Sequence, residues 1–157
     1  MKEHREHGHI DTESVSEAVD RLEEFYTHNG YEVAEDELTQ PDLARFVRGE
    51  EGVGWWSSNM TDLYARVTLR ESGGGIDIDY LIDVSGQHLT EGDHAFWDRE
   101  LDEAVRFARG DVSEPKDLRR AEEKRTDEGF ESRMSTAIMA VIILAVFFAV
   151  LAFLGVI

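Results

Sequence analysis

The chain has 157 residues, with 34 acids against 16 bases and a formal net charge of -18. So dense a negative surface repels nucleic acid and anionic lipid, and it argues against the counterion-release chemistry of nucleic-acid binders. The absence of cysteine excludes disulfides, thiolate catalysis and cysteine-zinc centres together.

Residues 1–12 are polar and rich in histidine, and they read as an unfolded tail with no apolar core of a signal peptide. His4, His7 and His9 on such a tail would meet a transition metal only adventitiously. The first helix opens at Ser14-Val15-Ser16-Glu17, the pattern of a capping box. Val15, Ala18, Val19, Leu22, Phe25 and Tyr26 follow at helical spacing, and Asn29-Gly30 ends the stripe.

Beyond Gly30 the period changes to two. Tyr31 to Glu35 and Leu43 to Arg48 read as short strands, the second set off by Pro41-Asp42. In the next pair Leu63, Ala65, Val67 and Leu69 alternate with Tyr64, Arg66, Thr68 and Arg70. Ile76, Ile78, Tyr80 and Ile82 alternate with Asp77, Asp79, Leu81 and Asp83. With Gly73-Gly74-Gly75 between them, these segments predict a hairpin with one buried and one wet face. A second helix begins near Thr90 or Asp93, turns Phe96 or Trp97, Leu101, Ala104, Val105 and Ala108 inward, and stops at Gly110.

This order predicts an α+β domain over residues 13–110. It would be a two-layer sandwich, an antiparallel sheet of about four strands covered on one face by two helices. Residues 111–133 form a connector: Pro115 can start a helix, and the stretch from Lys116 to Arg125, charged all round, reads as a solvated helix or a flexible tether outside the core.

From Met134 to Ile157 there is no charge, proline, Asn or Gln. About 22 helical residues rise about 33 Å, enough for the roughly 30 Å apolar layer of a bilayer, so Ser135 to Ile157 reads as a single transmembrane anchor. Lys116, Arg119, Arg120, Lys124, Arg125 and Arg133 precede it, which puts the N-terminal domain on the cytoplasmic side of the cell membrane. On that side the sequon at Asn59 would meet no glycosylation machinery. Ala145, Ala149 and Ala152 make a small-residue stripe through which two copies would self-associate. In its acidity and its preference for arginine over lysine the chain resembles proteins of halophilic archaea. The resemblance is one of composition, to small tail-anchored proteins of those organisms, and it implies a salt-rich cytoplasm and no particular activity.

No catalytic motif stands out, and no cofactor is implied. The triple glycine lacks the Lys-Ser/Thr and the following helix of a phosphate loop, and Ser85-Gly86 lacks the Gly-x-Ser-x-Gly of a nucleophile elbow. Asp77, Asp79 and Asp83 share a strand face on which a divalent cation competes with pairing to Arg66 and Arg70. The most ligand-like segment holds His88, Glu91, Asp93 and His94, a set that would serve a small metal-assisted enzyme, although without the spacing of a helical zinc motif. Trp55-Trp56, among Gly49, Gly52 and Gly54, is the candidate binding residue pair, because an extended segment turns at most one of two neighbours inward. Three functions follow from these features: a tethered binding or adaptor module, a metal-assisted enzyme, and a self-associating structural membrane protein.

Overall fold

A computed structural model describes residues 2–34, 42–53 and 59–127. Trp55, Trp56 and the apolar segment from Ser135 to Ile157 lie outside the described residues. Among those described, no helix is long and apolar enough to cross a membrane.

The chain is α+β. Its elements run β1 (Glu3–Asp11), α1 (Val15–His28), β2 (Glu32–Val33), β3 (Asp42–Arg48), β4 (Ala65–Ser72), β5 (Gly75–Asp83) and α2 (Glu91–Ala108). A third helix, α3, occupies 118–127. The five strands form one antiparallel sheet in the order β1-β5-β4-β3-β2. One compact unit spans Met1–Glu122.

Two expectations change. Residues 3–11, read as an unfolded tail, are an edge strand pairing with β5 from Glu3↔Asp83 to Asp11↔Gly75, which makes five strands rather than four. In β1 the residues that face inward are His4, Glu6, Gly8 and Ile10, and only the last is a large hydrophobe, so alternation of hydrophobicity could not show the strand. Gly8 lies tight under Leu101 of α2, since a Cβ there would sit 2.8 Å from Leu101 Cδ1. The second change concerns the connector. Leu118 belongs to the core, and the buried Asn29 side chain at the end of α1 donates to Lys116 O at 3.1 Å and accepts from Leu118 N at 2.8 Å. Folding therefore involves residues past 110.

The hairpin forms as its alternation predicts. Leu63, Ala65, Val67 and Leu69, with Ile76, Ile78, Tyr80 and Ile82, are all buried on one sheet face. Gly73 and Gly74 both take positive φ, 55° and 94°, which a two-residue hairpin turn of matching twist demands. Ser14 caps α1 by accepting from Glu17 N at 3.4 Å, while Glu17 reaches Arg21 instead of closing the box. At α2 the box is complete, with Thr90 and Asp93 exchanging hydrogen bonds. α1 turns Leu22, Phe25 and Tyr26 to the sheet, and α2 turns both Phe96 and Trp97 inward, together with Leu101, Ala104 and Phe107. Both helices touch the same sheet face, as Tyr26 packs on Phe46 and Tyr80 while Trp97 packs on His4.

Candidate binding face and the buried ion pair beneath it

The face of the sheet opposite the helices carries Arg5, His7 and His9 of β1, Asp77, Asp79 and Leu81 of β5, Arg66, Thr68 and Arg70 of β4, and Arg45 of β3. These side chains fall together because the register aligns Arg5, Leu81 and Arg66 in one row and His7, Asp79 and Thr68 in the next. Asp42 joins them through a β-bulge. The register slips between Asp42 and Ala44, which turns Asp42 to the same side as Arg45, three residues on, although strict alternation would have sent it inward.

The charges on this face form a ladder across four strands. His7 Nδ1 lies 2.9 Å from Asp79 Oδ1, Arg70 donates to Asp79 Oδ2 at 2.6 Å and to Asp42 Oδ1 at 3.0 Å, and Arg45 donates to Asp42 Oδ2. A second rung joins His9 Nδ1 to Asp77 Oδ1 at 2.6 Å. Burial pushes the Asp42 carboxyl up, but the hydrogen bonds and charges of Arg45 and Arg70 outweigh it and hold the group below the usual carboxylate range. The His9 hydrogen bond, with help from Ser72, holds Asp77 low, and the same bond raises His9 against a smaller loss from desolvation. Asp77 and Asp79 are thus paired with cations and imidazoles of neighbouring strands.

Beneath the sheet, on the helix side, lies a charge that the sequence did not announce. Arg48, the last residue of β3, and Glu100, in the middle of α2, are both buried, with Arg48 Nη1 donating to Glu100 Oε1 at 2.6 Å and Nη2 to Oε2 at 3.4 Å. Tyr31 donates its hydroxyl to Glu100 Oε2 at 2.8 Å, and its ring lies under the guanidinium at 4.2 Å. Arg48 also donates to Asn29 O, and Tyr80 donates to Tyr26 nearby at 2.9 Å. Burial disfavours the charge on Arg48, yet Glu100 and Tyr31 more than restore it, so the guanidinium stays protonated. Burial is the chief cause that raises Tyr26, Tyr31 and Tyr80, which stay neutral. Among the described residues Arg48 Nε finds no hydrogen-bond partner. Both side chains are closed off from solvent, and together they make a fixed dipole beneath the sheet.

The ligand-like segment is not gathered into a site. Asp93 is committed to the Thr90 capping box, His94 packs edge-on against His4 at 4.8 Å, and His88 and Glu91 are exposed. Among the described residues no three His, Asp or Glu side chains are placed to share a metal ion. Trp55 and Trp56 lie outside the described residues.

Sequence reasoning missed Arg48-Glu100 for a physical reason. Each is a charged residue in a segment of otherwise correct pattern, and only the packing of α2 on the sheet brings the two together. The signal within reach was Glu100 one position before Leu101 and three after Trp97, on the inward stripe of α2 where an unpartnered carboxylate would be costly.

Comparison with known protein families, with curated proteins and with solved structures finds no significant match.

Proposed function

We propose that this chain is a membrane-tethered binding module, held by the apolar helix from Ser135 to Ile157, whose recognition surface is the uncovered face of its sheet. One observation carries the reading: among the described residues α1 and α2 both pack on one side of the sheet, and Arg5, His7, Arg66 and Arg70 stand exposed together on the other in a chain of strongly negative charge. An open sheet face suits recognition more than chemistry, because it excludes no water from a reacting group. The basic flank from Lys116 to Arg133 supports a cytoplasmic domain, and the acidity supports a salt-rich cytoplasm. Tethering raises the effective concentration of a membrane-borne partner, so a weak site on that face would suffice.

A pull-down in molar salt tests this. The full-length chain should retain a partner that an Arg66→Glu, Arg70→Glu variant loses and a Trp55→Ala, Trp56→Ala variant keeps. Retention by the arginine variant and loss by the tryptophan variant would move the recognition surface to the segment holding Trp55 and Trp56.

A further inference from the structure

The uncovered sheet face is not flat. Where β1, β5 and β4 run side by side it sinks into a cavity of about 370 Å³, within the size range of small-molecule sites. Arg5 and Arg66 flank Leu81 along one row, Thr68 and Leu81 lie between the basic side chains, and Arg70 and His7 close the other side. Glu6 and Tyr80 also border the cavity, but alternation turns their side chains to the helix layer, where Glu6 meets His4 and Tyr80 meets Tyr26. Within the lining on this face the acid is Asp79, and it is held by both His7 and Arg70. Glu3 stands beside Arg5 at 2.8 Å and is the nearest competitor for that guanidinium.

We infer that this cavity is an anion site that takes a phosphate group, from either a small phosphate ester or a lipid headgroup, and in this it rests on the reading of the sheet face as the recognition surface. The convergence of three arginines carries the argument. The chain has more than twice as many acids as bases, yet among the described residues around this cavity Arg5, Arg66 and Arg70 are matched by no more than Glu3, Asp42 and Asp79, with Arg66 bonded to the neutral Tyr64 hydroxyl, so a small anion meets guanidinium donors without the excess of negative charge carried by the rest of the chain. Guanidinium groups match a phosphate with paired donors, a geometry that chloride cannot use, so a divalent oxyanion keeps an advantage in strong salt. The Thr68 side chain adds a hydroxyl on the same face, and Leu81 offers an apolar floor to the carbon end of an ester. Nucleic acid is disfavoured by the net charge of -18.

The test is calorimetric titration of the full-length chain in neutral detergent micelles with inorganic phosphate and with glycerol phosphate, against sodium chloride at matched ionic strength. The expected result is saturable binding of glycerol phosphate to one site. Arg5→Gln with Arg66→Gln should weaken it at least tenfold, Arg5→Gln alone should weaken it measurably, and Arg99→Gln on α2 should leave it unchanged. Arg5 is an exposed side chain on an edge strand, so its single variant stays folded and keeps the test decisive if the double variant does not. Repeating the titration in nanodiscs separates the sources. Competition by phosphatidylglycerol but not phosphatidylcholine identifies a lipid headgroup, and indifference to both identifies a soluble ester. No saturable binding, equal binding by the arginine variants, or preference for an acidic peptide would overturn the proposal. Flotation of the full-length chain with liposomes reads the tether separately, so a failed anion site and a failed membrane assignment are distinguishable.

Discussion

Arg48 and Glu100 form an ion pair that burial makes costly to break and of little net value to possess. Removing one partner leaves the other charge buried and uncompensated, typically at a cost of about 3 to 5 kcal/mol, whereas replacing both with apolar side chains of similar volume is often neutral. Glu100→Ala should therefore lower the denaturant midpoint far more than the double variant Arg48→Met, Glu100→Leu. Equal losses in the single and double variants would show that the pair itself, rather than its completeness, stabilises the domain. At Gly8 the constraint is steric: its Cβ position lies 2.8 Å from Leu101 Cδ1. Gly8→Val should cost about 1 to 3 kcal/mol by overpacking, and pairing it with Leu101→Ala should recover part of the loss.

β1 is held to β5 by backbone pairing, by burial of Ile10 and by the rungs His7-Asp79 and His9-Asp77. His9 is raised in the folded chain, so its contribution is fully present below the unfolded histidine value of about 6.5 and is lost as pH rises through the folded value. Asp77 is lowered, so its contribution is present above about 3.9 and is lost as pH falls through the folded value. The rung is strongest between those limits, and salt weakens it because His9 is exposed and Asp77 only half-buried. Hydrogen-exchange protection of β1 amides should be greater at pH 5.5 than at pH 8.5, and Asp77→Asn should erase that difference. A chain beginning at Glu13 should not fold, because it uncovers Ile76 and Ile78 and removes Ile10 from the core. The start of α3 makes a parallel case: Asn29→Ala breaks bonds to Phe25 O, Lys116 O and Leu118 N at once. It should destabilise by about 1 to 3 kcal/mol, and truncation after Gly110 should destabilise similarly or more.

At the scale of the molecule the net charge dominates. A domain of this acidity should gain melting temperature across the molar salt range as repulsion is screened, even while the surface ladder weakens, since like charges outnumber its rungs. Melts that ignore salt would leave the acidity without the halophilic explanation. The proposed tether has its own test. A chain ending at Ser132 keeps Leu118 and the whole compact unit, so it should be soluble and folded, while the full-length chain should sediment with membranes and resist salt extraction. Protease added to intact cells should spare the domain and should cleave it once they are opened, because the basic flank belongs on the cytoplasmic side. Cleavage in intact cells would reverse the orientation.

The sequence alone determined what repeats along the chain. Alternation placed Leu69 and Ile78 on the buried side of the hairpin, and helical spacing marked Leu22, Phe25 and Leu101, because burial of one face imposes its period on neighbouring residues. Where that period was carried by few hydrophobes it failed: β1 shows one large apolar side chain in four inward positions, and it was legible only through its partner β5. The connector's docking was missed in the same way, since Leu118 is a single contact and Asn29 acts through hydrogen bonds that no spacing encodes. Of the candidate site, the pairing of one acid on β5 with an arginine on β4, Asp79 with Arg70, was visible beforehand because adjacent strands must share a face, whereas Asp77 turned instead to His9 and Arg66 to Tyr64. The histidine rungs, the bulge that turns Asp42 outward, the cavity between Arg5 and Arg66, and the Arg48-Glu100 pair were decided by tertiary structure. Each depends on which strand lies beside which and on how α2 packs against the sheet, and these are contacts between residues tens of positions apart.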